Sequence, residues 1–142
     1  MIPALPADHA FAGLKPPAVW SHFATLCRIP RPSKHEGALR DHLLQWASAQ
    51  GLPAHVDAAG NLLIRKAASA GHGASPGVVL QAHLDMVCLT NDPIVPVRTD
   101  DGWVRAEHTT LGADNGLGVA LMLALLADPD AVHGPLEALF TV

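Results

Sequence analysis

His83 and Asp85 stand two residues apart near the end of the run Val78-Val79-Leu80-Gln81-Ala82-His83-Leu84-Asp85-Met86-Val87. Side chains of an extended chain alternate between faces, so both groups project to the same side. The carboxylate can hold the ring as a purely structural hydrogen bond. It can also orient an imidazole whose other nitrogen serves a cation. His-x-Asp alone does not choose between the two. A second candidate lies downstream in Thr109-Thr110-Leu111-Gly112-Ala113-Asp114-Asn115-Gly116-Leu117-Gly118, where glycines on both sides of an acid let the backbone approach a ligand closely. Asp114 or Asn115 reads as the N-cap of the apolar helix that follows. Asp114 is also a hard oxygen donor, and an imidazole, a carboxylate and a further carboxylate to orient the ring are what a divalent cation takes.

Competing chemistries are weaker. Cys88 near His83 invites a Cys/His nucleophile pair, which would leave Asp114 and its glycines without a role. The segment from Gly112 to Gly118 lacks the lysine of a phosphate loop and the dinucleotide-binding spacing, and its acid would repel a phosphate. His108 reads as an exposed loop histidine, with an adventitious ligand as the lesser reading. His9, His22, His35, His42, His55, His72 and His133 have no second ligand at metal spacing.

The elements that would carry these residues follow from the patterning. The aliphatic run from Val78 predicts a buried strand of a mostly parallel sheet, with His83 and Asp85 at the strand end, where open α/β sheets bind ligands. A helix from about Asn115 to Ala127 and a strand over Gly134 to Val142 complete a parallel strand–helix–strand unit, with a right-handed crossover expected. Upstream of these, a loose leader (Met1 to Leu14) precedes Pro16-Pro17, which opens a helix with Val19, Trp20, Phe23, Leu26 and Cys27 on its apolar face. The prolines of Ile29-Pro30-Arg31-Pro32 stop it. Ser33 to Glu36 reads as a capping box for a second helix with Leu39, Leu43, Leu44, Trp46 and Ala47 mostly inward, closed by Gly51. Ala54 to Asp57 and Asn61 to Lys66 read as two short strands, Ala67 to Pro76 as a surface loop, and Cys88 to Pro93 as an irregular turn. Asp100-Asp101-Gly102 predicts a hairpin, with Pro96 keeping its first arm at an edge.

The chain has 142 residues, the size of one domain, and pairs 49% hydrophobic residues with only 15% charged ones. That suits a buried sheet and suggests a surface meant to be covered. A formal net charge of −4 and the lack of any basic run give no reason to expect nucleic acid or an anionic membrane as partner. Cys27 and Cys88 read as thiols of a reducing compartment. The N-terminus lacks the pattern of a signal peptide and no apolar run is long enough to span a bilayer, so the expected location is cytoplasmic.

Taken together, these motifs resemble the N-terminal part of the aminoacyl-histidine dipeptidases, also called peptidase D or cytosolic non-specific dipeptidase, of the dinuclear-zinc peptidase and deacylase superfamily. The resemblance rests on Ile29-Pro30-Arg31-Pro32-Ser33, Gly60-Asn61-Leu62-Leu63-Ile64-Arg65-Lys66, the segment from Leu80 to Val87, the Thr109 to Gly116 motif and His133-Gly134-Pro135-Leu136-Glu137. It implies the α/β fold of a zinc-peptidase catalytic domain with helices packed on a mixed or parallel sheet. It also implies that His83 ligates one zinc, Asp85 holds and tunes the His83 ring, and Asp114 bridges two zinc ions, with the Asp114–Asn115 peptide cis. Cobalt or manganese are alternatives to zinc. The implied reaction is hydrolysis of dipeptides, Xaa-His among them, by metal-activated water. The general base is implied to lie in a Glu-Glu pair past Val142, together with the remaining ligands and a lid domain through which relatives form homodimers. The expectation is therefore an amino-terminal fragment, inactive alone, with Glu137 no substitute for the base. The segment Cys88-Leu89-Thr90-Asn91 is shorter than the family's at this place, which bears on substrate access. The superfamily leaves an N-acyl amino acid deacylase or carboxypeptidase as an alternative, and a non-catalytic α/β fragment as another.

Overall fold

The computed structural model describes residues 9–142, so the first eight residues of the Met1 to Leu14 segment on which the signal-peptide reading rests lie outside it. In chain order the elements are α1 (Pro17–Cys27), α2 (Gly37–Ala49), β1 (Ala54–Val56), β2 (Leu62–Lys66), β3 (Val78–His83), β4 (Pro96–Arg98), β5 (Val104–Ala106), α3 (Ala113–Ala127) and β6 (Leu136–Thr141).

Helix α1 begins with Pro17 in its first turn, where the missing N–H breaks no helical bond, and it buries Val19, Phe23, Ala24, Leu26 and Cys27. The leader before it is not loose throughout. Ala10 and Phe11 are buried, and the Phe11 ring lies 5.4 Å from both Trp20 and Phe23, because a phenyl group beside two aromatics gains more by packing than by staying in water. Helix α2 buries Leu39, Leu43 and Ala47, leaves Leu44 exposed and Trp46 half-buried, and is followed by Gly51.

The capping box expected at its start is not formed. Glu36 does reach back, accepting the Lys34 N–H at 2.7 Å, but the Ser33 hydroxyl donates to the Asp85 carboxylate instead of serving the helix. A bond to an ionised acceptor is roughly twice as strong as one between neutral groups, and tertiary placement here outweighs the local motif.

The main sheet is mixed, with strand order β1-β2-β6-β3. Strands β1 and β2, and β2 and β6, pair antiparallel, and only β3 with β6 is parallel. The sheet is mixed, as the resemblance implies, and among the described residues β3 lies at its edge. Val78 and Val79 are 47% and 60% exposed, so the aliphatic run reported hydrophobicity without reporting position in the sheet. The buried strand is β6, with Leu136, Ala138 and Phe140 on its covered face. Helix α3 packs on α1 and on β3, which places its N-terminal end beside the end of β3. Strands β4 and β5 form the hairpin expected around Asp101 and Gly102. Glu137 bonds Arg65 Nε across the sheet at 2.7 Å, a cross-strand ion pair with no part in the site. Among the described residues no helix is long and apolar enough to cross a membrane.

Cys27 has no solvent exposure, and burial pushes its thiol up to about 12 despite the opposing charges of Arg31 and Arg28. In the unfolded chain the same thiol ionises near 9. Between these values the unfolded state binds fewer protons, so stability is present below pH 9 and falls as pH rises toward 12, at most by about 1.4 kcal/mol per pH unit. Urea midpoints taken from pH 8 upward should show this fall, and a Cys27→Ala variant should lack this contribution. With a thiol reagent at neutral pH, Cys88 should react fast and Cys27 only on unfolding, since a buried protonated thiol offers no nucleophile.

Candidate metal centre

The site is built at the end of β3. His83 is the last residue of that strand, held in register opposite Thr141 of β6. Pairing stops there, but the alternation of faces continues, with Leu84 and Met86 buried and Asp85 between them on the side of His83. The His83 Nδ1 lies 2.9 Å from Asp85 Oδ1 and 3.0 Å from the Asp85 carbonyl oxygen, so this nitrogen carries the proton and donates it to Asp85. Nε2 faces the other way, 3.0 Å from Asp114 Oδ1.

Asp114 reaches that position through an irregular helix entry. Gly112 takes φ +69°, a left-handed conformation suited to glycine, and neither Asp114 (φ −95°, ψ 106°) nor Asn115 (φ −112°, ψ 36°) is helical. The peptide between them is cis. Asn115 Oδ1 accepts the Gly118 N–H at 3.2 Å and so acts as the cap. Of the two residues that could have capped the helix, Asn115 does so and the Asp114 carboxylate is left to face His83. The paired threonines bind the two motifs together. Thr110 Oγ1 donates to the Val87 carbonyl and Thr109 Oγ1 accepts the Leu89 N–H at 3.1 Å.

Charge follows geometry. Desolvation pulls the His83 imidazole down, but its hydrogen bonds to Asp114 and Asp85 outweigh this and its pKa rises. The Ser33 hydroxyl, and then His83, hold the Asp85 carboxyl below its ordinary value against a smaller desolvation. Asp85 thus stays ionised behind the ring, the arrangement that orients a ligating imidazole.

Cys88 makes no pair with His83, since its thiol is turned to the Met86 carbonyl at 3.7 Å. His108 is exposed, with φ +62°. Two contributors escaped the sequence reading. Ser33 bonds Asp85, and the fully buried Arg31 donates from Nη2 to the Gly112 carbonyl at 2.7 Å. A buried arginine is rare enough that composition does not announce it. The one available signal was the pair Gly112 and Gly116, one helical turn apart, which leave room for a large side chain.

The donor chemistry fits a divalent cation in kind. A half-exposed imidazole, oriented from behind by a carboxylate, turns its other nitrogen toward a second carboxylate that is 94% exposed. In number it falls short, because among the described residues no group of three or more His, Cys, Asp or Glu side chains is placed to hold a metal together.

The fold around this site is one found in peptidases of known structure. The aminoacylhistidine dipeptidase of Vibrio alginolyticus superposes with a TM-score of 0.88 at 45% identity, over 93% of this chain and 29% of that one. A tripeptidase of Staphylococcus aureus gives 0.77 at 26% identity, over 88% and 36%. In sequence, the chain is 49% identical over 138 residues to the cytosol non-specific dipeptidase of Escherichia coli strain K12, which covers 91% of this chain and 28% of that protein. No family model matches the chain. The likeness to aminoacyl-histidine dipeptidases therefore holds across nearly the whole chain, which spans under a third of the length of the Vibrio alginolyticus and Escherichia coli proteins.

Proposed function

We propose that this chain supplies part of the metal site of a cytoplasmic dipeptidase, and that the cation is zinc. The observation that carries the proposal is the line Asp85–His83–Asp114, with contacts of 2.9 and 3.0 Å, at a strand end beside a helix entry. His83 Nε2 and the Asp114 carboxylate would hold the cation, and Asp114, with two oxygens, is the residue suited to bridge a pair. When bound, such a cation polarises a carbonyl and lowers the pKa of water. Asp85 keeps the Nδ1 proton in place, so that Nε2 presents its lone pair. The relatives support dipeptides as substrates, Xaa-His among them, and two unpaired cysteines agree with a cytoplasmic setting.

The described residues offer two ligating side chains against the three of a catalytic zinc site, so these 142 residues by themselves should show no turnover. In a longer protein that adds the remaining segments of its relatives, Xaa-His dipeptides should be hydrolysed, activity should vanish on chelation, and zinc should restore it. Assaying Xaa-His dipeptides and N-acetyl amino acids side by side decides the substrate class. Turnover of the acyl substrates alone would sink the dipeptidase reading in favour of a deacylase.

A further inference from the structure

The connection between α1 and α2 has no part in holding a cation, yet it touches both halves of the site. Arg31 has no solvent exposure. Its Nη2 donates to the Gly112 carbonyl at 2.7 Å, its Nη1 lies 3.2 Å from Met86 Sδ, and its Nε makes no hydrogen bond. Two residues on, Ser33 donates to Asp85 Oδ2. The backbone between them is tied to the strand end, with the Met86 N–H donating to the Arg31 carbonyl at 3.0 Å and Pro32 bridging Met86 in parallel.

Burying a guanidinium is costly unless its groups are satisfied, and among the described residues no carboxylate bonds this one. The neighbouring chain is shaped to admit it all the same. A Cβ added at Gly112 would lie 2.7 Å from Arg31 Nη2, and one at Gly116 would lie 2.5 Å from the same atom. Asp114, by contrast, is almost fully exposed and leans on His83 alone among the described residues, so its place is set by the backbone that carries it. That backbone is gripped at Gly112. On the other side, one Asp85 oxygen serves His83 and Ser33 takes the second, which fixes the rotation of the carboxylate.

We propose that Arg31 and Ser33 are positioning residues of the cation site, Arg31 setting where Asp114 enters by holding the Gly112 carbonyl and Ser33 setting Asp85 against His83. The inference deepens the metal reading above and rests on it. Neither residue touches the cation; each acts through a group that does, or that orients one.

The test is a Mn2+ titration followed by water-proton relaxation, which reads weak sites, on wild type, R31M, R31K, S33A and H83A. Thermal midpoints and amide exchange at Gly116, whose N–H donates to the same Gly112 carbonyl at 3.0 Å, are measured in parallel. R31M should weaken Mn2+ binding roughly tenfold, the scale for groups behind the ligands, and speed exchange at Gly116. R31K, which keeps the charge and an ammonium able to donate to the Gly112 carbonyl, should recover part of both. S33A should weaken binding by a smaller factor and leave Gly116 exchange unchanged, because it acts on Asp85. Wild-type affinity in folded R31M and S33A overturns the inference. Should R31M not fold, R31K and S33A decide it on the same criterion. If wild type binds Mn2+ no better than H83A, the metal reading fails by itself. The positioning role is then judged by the His83 ring signals in nuclear magnetic resonance of the metal-free protein: shifts in R31K and S33A support it, and unchanged signals overturn it.

Discussion

Asp114→Ala should lower divalent-cation affinity by more than about a hundredfold, beyond what loss of a group behind the ligands produces, while leaving the thermal midpoint nearly unchanged. The asymmetry comes from exposure. The Asp114 side chain is 94% exposed, it caps no helix, and its one side-chain bond among the described residues is to His83. Removing it leaves no cavity and no buried unpaired group, and surface substitutions of that sort stay within about 0.5 kcal/mol. His83→Ala should act the same way on affinity. Asp85→Asn should cost less, roughly tenfold, because the amide still contacts the ring but no longer favours the required tautomer. The measurement is the Mn2+ relaxation titration beside a melting curve. Asp114→Ala with wild-type affinity would mean that no cation sits between His83 and Asp114.

The opposite pattern is expected at Phe140, whose replacement by Ala should destabilise the fold by roughly 3–5 kcal/mol. Phe140 has no solvent exposure and lies in β6, registered against Leu62 on one side and Ala82 on the other. Its loss opens a cavity under the covered face of β6, the strand that joins the antiparallel and parallel parts of the sheet. Domains carry only about 5–15 kcal/mol of stability in total, so this single change removes a large share. The cost is felt at the site as well, because β6 holds His83 in register through Thr141. Urea unfolding monitored by circular dichroism gives the number, and a loss under about 1 kcal/mol would contradict the packing described.

The sequence by itself determined the pieces that local rules govern. Proline placement opened α1 at Pro17 and closed it before Pro30, an Asp-Gly pair announced the β4–β5 hairpin, and alternation put Asp85 on the side of His83. Each depends on bonds within a few residues, and each is present. The likeness to aminoacyl-histidine dipeptidases was also legible, because it lies in residue order and not in shape.

What only the tertiary structure decided is what depends on partners distant along the chain. The run from Val78 reads as a buried strand, yet among the described residues it is an edge, since nothing in its residues says that β6 will pair with one flank and leave the other open. Ser33 reads as a helix cap, yet it serves Asp85, because a carboxylate 52 residues away is brought within reach. Asp114 and Asn115 were equal candidates for the same cap until the backbone at Gly112 turned one toward Gly118 and the other toward His83. Arg31 was invisible between prolines whose legible task was to end α1. Its task lies 81 residues further on, at the Gly112 carbonyl, and such long-range contacts are decided by the packing of α3 against α1 and β3, which no local pattern encodes.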